Sequence, residues 1–292
     1  MRLAVIVCFL NEEAYLPVLL ASLASQQRAP DRLLLVDDGS TDGSLRLASE
    51  FASVHPYAHV LSRPSRPTVA DRLVTAAELE AFCWAVEQLE EPWHVVAKLD
   101  ADLCLTPRTF AELVDQLEAD PRLGLVGAYH SIIGPDGNAV RERCPPGHVH
   151  GSSKFYRREC FVEVFPLAVQ LGWDTSDEIM ARMHGWRTGS FSMPDGEPIH
   201  LRPIATHDGL LRGYRRSGMS AYGYGARAWW VLIAMVPRLL DHPRMMGGLN
   251  YLFGWLIAAL RRDPRASADQ RSFLAREHRA RLLATLSRRR AH

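Results

Sequence analysis

The chain has no Cys-x-x-Cys pair, and its five cysteines (Cys8, Cys83, Cys104, Cys144 and Cys160) are scattered and odd in number. That excludes a dense disulfide framework or a cysteine-built zinc site and fits reduced thiols in the cytoplasm. No surplus of one charge is present: the formal net charge is +1. The default signature of a nucleic-acid binder is therefore missing. No apolar run reaches the roughly 20 residues that a spanning helix needs. The first run, Leu3 to Leu10, is stopped by Asn11-Glu12-Glu13 and lacks a small-residue cleavage site, so it reads as a strand and not as a secretory leader. What remains is an ordinary globular composition, 47% apolar and 23% charged over 292 residues. That length suits one large domain, or one domain with an appendage.

Strands and helices alternate through the first third. Leu3–Phe9 reads as a buried parallel strand, and Leu16, Leu19, Leu20 and Leu23 recur at helical spacing. Leu33–Val36 is a second strand that ends in Asp37-Asp38-Gly39-Ser40-Thr41-Asp42. A helix over 43–52, a short strand at His59–Leu61, a helix over 69–87 and a strand at Val95–Ala97 follow. This alternation predicts a Rossmann-like, mostly parallel α/β sheet flanked by helices. Ligands bind beyond the carboxyl ends of such strands, where Glu12, Asp37, Asp38, Asp100 and Asp102 fall. Read as strand residues, Asp100 and Asp102 project to one side. Two like charges there call for a cation or a hydroxyl-rich ligand between them. A hard divalent metal on a diphosphate meets that need with oxygen ligands. In the loop 62–68, Arg63 and Arg66 would meet phosphates or water.

Downstream, Thr106 is expected to cap a helix that opens at Pro107 and runs to Leu117. Leu123–Val126 and Tyr129–Ile133 read as strands, 134–137 as a turn, and 141–153 as a polar loop containing His148 and His150. Residues 155–165 mix strand and helix. In the segment 172–187, Ile179, Met183 and Trp186 mark one helical face, and Thr175 with Glu178 fits a capping box. A carboxylate fixed at a helix start is also well placed for general-base work. His200 and His207 are structural histidines or, since imidazole commonly completes a carboxylate metal site, ligands.

The remainder differs in character. The runs Ala226–Pro237 and Gly247–Leu260 are strongly apolar, carry Trp, and are followed by Arg238 and by Arg261-Arg262. From Arg261 to His292 there are ten Arg against three acids. The pattern suits helices lying on an anionic membrane surface. A buried helical pair or a homodimer interface would carry the same pattern.

With these residues assembled, the chain resembles the inverting nucleotide-sugar glycosyltransferases of family 2, which have a GT-A fold. The likeness covers roughly Arg2 to Arg202. The opening strand with Asn11-Glu12-Glu13, the Val36-Asp37-Asp38-Gly39-Ser40-Thr41-Asp42 stretch and Asp100-Ala101-Asp102 match its three donor motifs in order and spacing. The resemblance implies a glycosyltransferase domain over 1–210, with a donor half to about 104 and an acceptor half beyond it. A helical C-terminal region over 211–292 follows. It implies donor contacts from Phe9, Asn11, Glu12, Asp38, Lys98, Asp100, Ala101 and Arg202, with Arg202 near the phosphates. It assigns Asp102 and His200 to a divalent metal, Mn²⁺ or Mg²⁺. The family's base is an Asp at a helix start about three turns before a Gly-aromatic pair. Asp174 stands eleven residues before Gly185-Trp186, and Asp177 is the alternative. The implied partners are a UDP- or GDP-sugar and a saccharide or lipid-linked acceptor, with the enzyme at the inner face of the cell membrane. Cys8 stands where the family often has Pro, Trp173 where it has an acid, and 64–71 replaces its usual Gly/Asn-rich segment. These departures leave the sugar and nucleotide open. Two other readings compete: a nucleotidyltransferase of similar sheet, and a non-catalytic sugar-nucleotide-binding component of a membrane synthase. The first usually has a Gly-rich phosphate loop after its first strand, where this chain has Asn11-Glu12-Glu13.

Overall fold

The computed structural model describes residues 1–64, 75–90, 92–134, 136–202, 209–240 and 244–290. Arg66 and His207 lie outside the described residues. The chain divides into two units, Met1–Val169 with His184–Pro203, and Gln170–Met183 with Ile204–His292.

The first unit is built on a seven-stranded sheet. Its strands are β1 (Leu3–Phe9), β2 (Arg32–Asp37), β3 (Ala58–Ser62), β4 (Val95–Asp100), β6 (Leu123–Ala128), β9 (Ser153–Arg157) and β10 (Arg187–Phe191), in the order β10-β6-β9-β4-β1-β2-β3. β1 pairs in parallel with β2 and β4, β2 with β3, and β10 with β6. Only β9 runs antiparallel, against β4 and β6. Every residue of β1 is buried, as the continuous apolar run of a doubly covered parallel strand requires. Leu16, Leu19, Leu20 and Leu23 of α1 (Leu16–Ala24) enter the same core as Leu3, Val5 and Val7. So do Phe110, Leu113 and Leu117 of α4 (Thr109–Ala119).

A second, smaller sheet has the order β5-β11-β7-β8, from β5 (Leu103–Cys104), β11 (Ile199–His200), β7 (Ser131–Ile133) and β8 (Ala139–Arg141). β11 pairs antiparallel with β5 and parallel with β7. It therefore brings residues near 200 beside the end of β4.

Three local expectations need correction. Asp100 and Asp102 do not share a strand face, because β4 ends at Asp100 and Ala101-Asp102 form a turn. The alternating pair on β4 is Lys98 with Asp100. Thr106 does not cap α4, which starts at Thr109 after a turn at 107–108; its Oγ1 lies 2.9 Å from Thr109 Oγ1 instead. The capping box at Thr175 is absent, because α6 (Trp173–Met183) starts two residues before it. On the predicted face of that helix Ile179 is buried, but Met183 is 37% exposed and Trp186 lies beyond the helix end.

The second unit is helical: α6, α7 (Leu210–Gly223), α8 (Ala228–Arg238), α9 (Met246–Arg261) and α10 (Ala268–Arg290). Backbones of α7 and α9 touch at glycines. A Cβ on Gly218 would sit 1.9 Å from Tyr251 O, and one on Gly254 2.0 Å from Arg215 O. Only glycine permits that approach. Among the described residues no helix is long and apolar enough to cross a membrane.

Candidate active site

The acids of the first unit gather where the parallel strands end. Register places Phe9 beside Asp37 and Cys8 beside Asp100, so the loops after β1, β2 and β4 share one edge. The first two loops are laced together. Asn11 takes φ +56°, a left-handed conformation that Asn tolerates, and its Oδ1 accepts the Thr41 N–H at 2.8 Å. Glu12 N–H donates to Ser44 Oγ at 2.8 Å, and Gly43 N–H to Glu13 Oε2 at 3.0 Å. Asp37 Oδ1 accepts the Ser40 N–H at 3.0 Å across a turn whose Gly39 has φ +96°. Thus Asn11 and Asp37 hold the loops, leaving Glu12 and Asp38 as acids at the edge. Phe9 is a core residue in its side chain, while its carbonyl accepts the Asp38 N–H at 2.9 Å. Arg63 faces neither water nor an open loop. It is buried and donates to Asp38 Oδ1 at 2.7 Å.

Cations hold the β4 end together. Lys98 Nζ is buried, bonds Asp100 Oδ1, donates to the Gly151 carbonyl at 3.0 Å and lies 2.5 Å from Glu78 Oε1. Glu78, on α3 (Ala77–Val86), is a partner that the sequence did not announce. Burial would raise the Asp100 carboxyl, but the Lys98 ammonium, the Glu78 hydrogen bond and His200 together offset it and lower it to about 2. Burial and the Asp100 charge instead push Glu78 up to about 8. The triad thus favours a charged Asp100 beside a protonatable Glu78.

The smaller sheet supplies the other side. His200 pairs with Leu103, and Leu201 N–H donates to the Asp102 carbonyl at 2.8 Å. Arg202 Nε donates to Asp102 Oδ2 at 2.7 Å and its Nη2 to Glu12 Oε1 at 2.6 Å, with the guanidinium over the Tyr15 ring. His200 Nε2 lies 3.4 Å from Asp102 Oδ1 and Nδ1 lies 3.6 Å from Glu142 Oε2. Burial would lower the imidazole, but Asp102 and Glu142 raise it to about 10. His130 is the opposite case: burial, then the nearby His150 and His200, lower it to about 3.

One ligand atom each from Asp100, Asp102 and His200 lie within 4.8 Å of one another. Two carboxylate oxygens and an imidazole nitrogen suit a hard divalent ion of the Mn²⁺ or Mg²⁺ kind. Glu12 Oε2 is buried here without a hydrogen-bond partner among the described residues, so the corner has acceptor capacity in reserve. Of the residues expected at the site, Glu12, Asp100, Asp102, His200 and Arg202 meet directly, with Lys98 behind Asp100. Ala101 is buried in the turn between the two acids. Asp174 and Asp177 belong to the second unit. Asp174, in the first turn of α6, is half-buried, whereas Asp177 is 2% exposed and its Oδ1 accepts the Glu178 N–H. His130, Glu142 and Glu78 escaped the sequence reading. The two histidines flagged in the polar loop were the only hint of the first two.

The mostly parallel sheet, with an acidic turn at its carboxyl edge and the returning strand β11 followed by Arg202, has the GT-A fold of the nucleotide-sugar glycosyltransferases. The chain belongs to glycosyl transferase family 2, whose model matches residues 4–170. It is 32% identical over 130 residues to the polyprenol monophosphomannose synthase of Mycolicibacterium smegmatis, covering 44% of this chain and 45% of that protein. The match spans less than half the length of the curated relatives. Among solved structures it is similar to the mannosyltransferase PcManGT of Pyrobaculum calidifontis, in complex with GDP-Man and Mn²⁺. The TM-score is 0.56 and the identity 17%, covering 96% of this chain and 80% of that one. It is also similar to TarS residues 1–349 of S. aureus in complex with UDP-GlcNAc. There the TM-score is 0.54 and the identity 19%, covering 76% of this chain and 66% of that one. At such identities the likeness is one of fold.

Lys98→Met removes the cation that, among the described residues, Asp100 and Glu78 share. Because those acids stay 23% and 41% exposed, the expected loss is about 2 kcal/mol, below the usual cost of breaking a fully buried pair. Denaturant unfolding measures it. An unchanged stability would contradict the role given to Lys98.

Proposed function

We propose that the protein is an inverting glycosyltransferase that moves a sugar from a nucleoside-diphosphate sugar to a hydroxyl acceptor with a divalent metal. Family membership supports the reaction class. The observation that carries the metal dependence is the convergence of Asp100, Asp102 and His200 within 4.8 Å. In PcManGT and TarS, structures of the same fold hold GDP-Man with Mn²⁺ and UDP-GlcNAc, which favours a UDP- or GDP-sugar donor. The family match also disfavours a nucleotidyltransferase.

In this reading Glu12 and Asp38, fixed by the laced loops, receive the base and ribose, with Phe9, Asn11 and Ala101 shaping the pocket. Asp102 and His200 would hold the metal, with Asp100 holding ribose or metal. A bound divalent ion neutralises charge that builds on the departing nucleoside diphosphate. Arg202 already spans Asp102 and Glu12, so it stands ready to turn its guanidinium toward the diphosphate. Inversion needs one base to take the acceptor proton as the hydroxyl attacks the face opposite the leaving group. Asp174 fits that role better than Asp177, because it keeps exposure while Asp177 is enclosed.

The acceptor side is read from the second unit. Leu232 and Val236 of α8 and Leu240 just beyond it, with Leu249, Phe253, Leu256 and Leu260 of α9, are exposed. Arg244, Arg261 and Arg262 are exposed at the ends of these helices. An apolar face with basic ends suits an anionic membrane surface, and the matched relative is named for a polyprenol product. A lipid-linked or envelope acceptor at the inner face of the membrane follows.

Asp102→Ala should abolish Mn²⁺-dependent donor binding in calorimetry with a UDP- or GDP-sugar. Asp174→Asn should bind donor as wild type does and lose transfer. Normal turnover by Asp174→Asn, with loss in Asp177→Asn, would reverse the base assignment. Full-length protein should float with vesicles containing phosphatidylglycerol and much less with phosphatidylcholine alone. Phe253→Ser with Leu256→Ser should release it. Wild-type protein that stays with the soluble fraction would contradict membrane docking.

A further inference from the structure

Behind His200 lies a second cluster that the proposed transfer does not use. We infer that His130, Glu142 and His150 form a separate metal site, suited to Zn²⁺, in the first unit.

One ligand atom from each of the three lies within 4.8 Å of the others. The smaller sheet assembles them: Ser131 pairs with Arg141 across β7 and β8, and Glu142 N–H donates to the His130 carbonyl at 2.8 Å. The loop after β8 then returns His150, whose ring centroid lies 5.2 Å from that of His130. His130 is 0% exposed and His150 4%, and the Glu142 side chain is 8% exposed. Among the described residues, His130 Nε2 and Glu142 Oε2 are both buried without a hydrogen-bond partner. Leaving such atoms unmet costs free energy that a ligand would recover. His130 Nδ1 lies 3.1 Å from Ser152 Oγ. A proton on Nδ1 shared with that hydroxyl leaves the Nε2 lone pair for a metal.

The donor set distinguishes this site from the acidic corner. Two imidazoles and one carboxylate are a three-ligand zinc set that leaves a fourth position open. Two carboxylates with one imidazole favour a harder ion. Glu142 Oε2 also faces His200 Nδ1 at 3.6 Å. A carboxylate has enough lone pairs to ligate a metal and still face a neighbouring ring as an ion-pair partner. Zinc on Glu142 would therefore fix the orientation of His200 and, through it, the acidic corner. It would also pin the polar loop 141–152 to β7.

The test uses untagged full-length protein, stripped with chelator and titrated with Zn²⁺ against a chromophoric competitor. Metal content is measured after dialysis. About one zinc per chain should be retained. Asp102→Ala should keep it, while His130→Gln and Glu142→Gln should each lose it, with circular dichroism confirming their folds. Absence of zinc binding in wild type overturns the inference and leaves the buried atoms to water. Loss of zinc in Asp102→Ala but not in Glu142→Gln also overturns it, because the ion would then sit in the acidic corner. Neither readout requires sugar transfer, so this inference and the proposed function fail independently.

Discussion

The ammonium of Lys98, buried beneath the end of β4, is the interaction on which the site depends. The parallel sheet concentrates carboxylates at one edge, because the chain reverses there after β1, β2 and β4. Glu12, Asp38, Asp100 and Asp102 would repel one another if left alone. The structure answers each with a cation: Lys98 for Asp100, Arg63 for Asp38, and Arg202 for both Asp102 and Glu12. Glu78 completes the balance by carrying a carboxyl that is protonated more easily than an ordinary one. The edge therefore keeps its carboxylates compensated, while Asp100, Asp102 and His200 stay close enough to serve as the proposed set for a divalent ion.

That balance sets terms for the ligand. Under the proposed function, a metal entering the corner would compete with Arg202 for Asp102 and with a proton on His200, whose affinity for it the carboxylate neighbours raise. A donor diphosphate eases both demands, because it gives Arg202 a new anion and offers the metal more oxygen ligands. Metal and nucleotide should therefore bind as a unit. The smaller sheet keeps these groups close, since His200 lies on a short strand paired to the residues just after Asp102 and Arg202 follows two residues on.

The parallel core was legible because continuous apolar runs such as Leu3–Phe9 and Leu33–Val36 can only be doubly covered strands, and because Gly39 and the flanking acids mark the ends. The geometry of Asp100 and Asp102 was not, since strand alternation assumed a strand that in fact stops at Asp100. Lys98 then took the place expected for the second acid. His200 and Arg202 could be placed by resemblance, but their pairing with the turn after β4 is non-local and leaves no periodic trace. Glu142 and His130 were hidden for the same reason: their meeting depends on the register of β7 with β8. Helix starts at Thr109 and Trp173 were misjudged because cap residues favour a start without fixing its turn. The runs Ala226–Pro237 and Gly247–Leu260 were legible as apolar stretches, and the chain forms α8 and α9 over most of them.

The most direct test of the account is Mn²⁺ binding to the wild-type protein with and without a nucleoside-diphosphate sugar, followed by calorimetry at constant pH. Compensated carboxylates predict weak Mn²⁺ binding to the free protein and at least about tenfold tighter binding with donor present, a coupling of about 1.4 kcal/mol. Equal Mn²⁺ affinity with and without donor, or donor binding indifferent to metal, would contradict it.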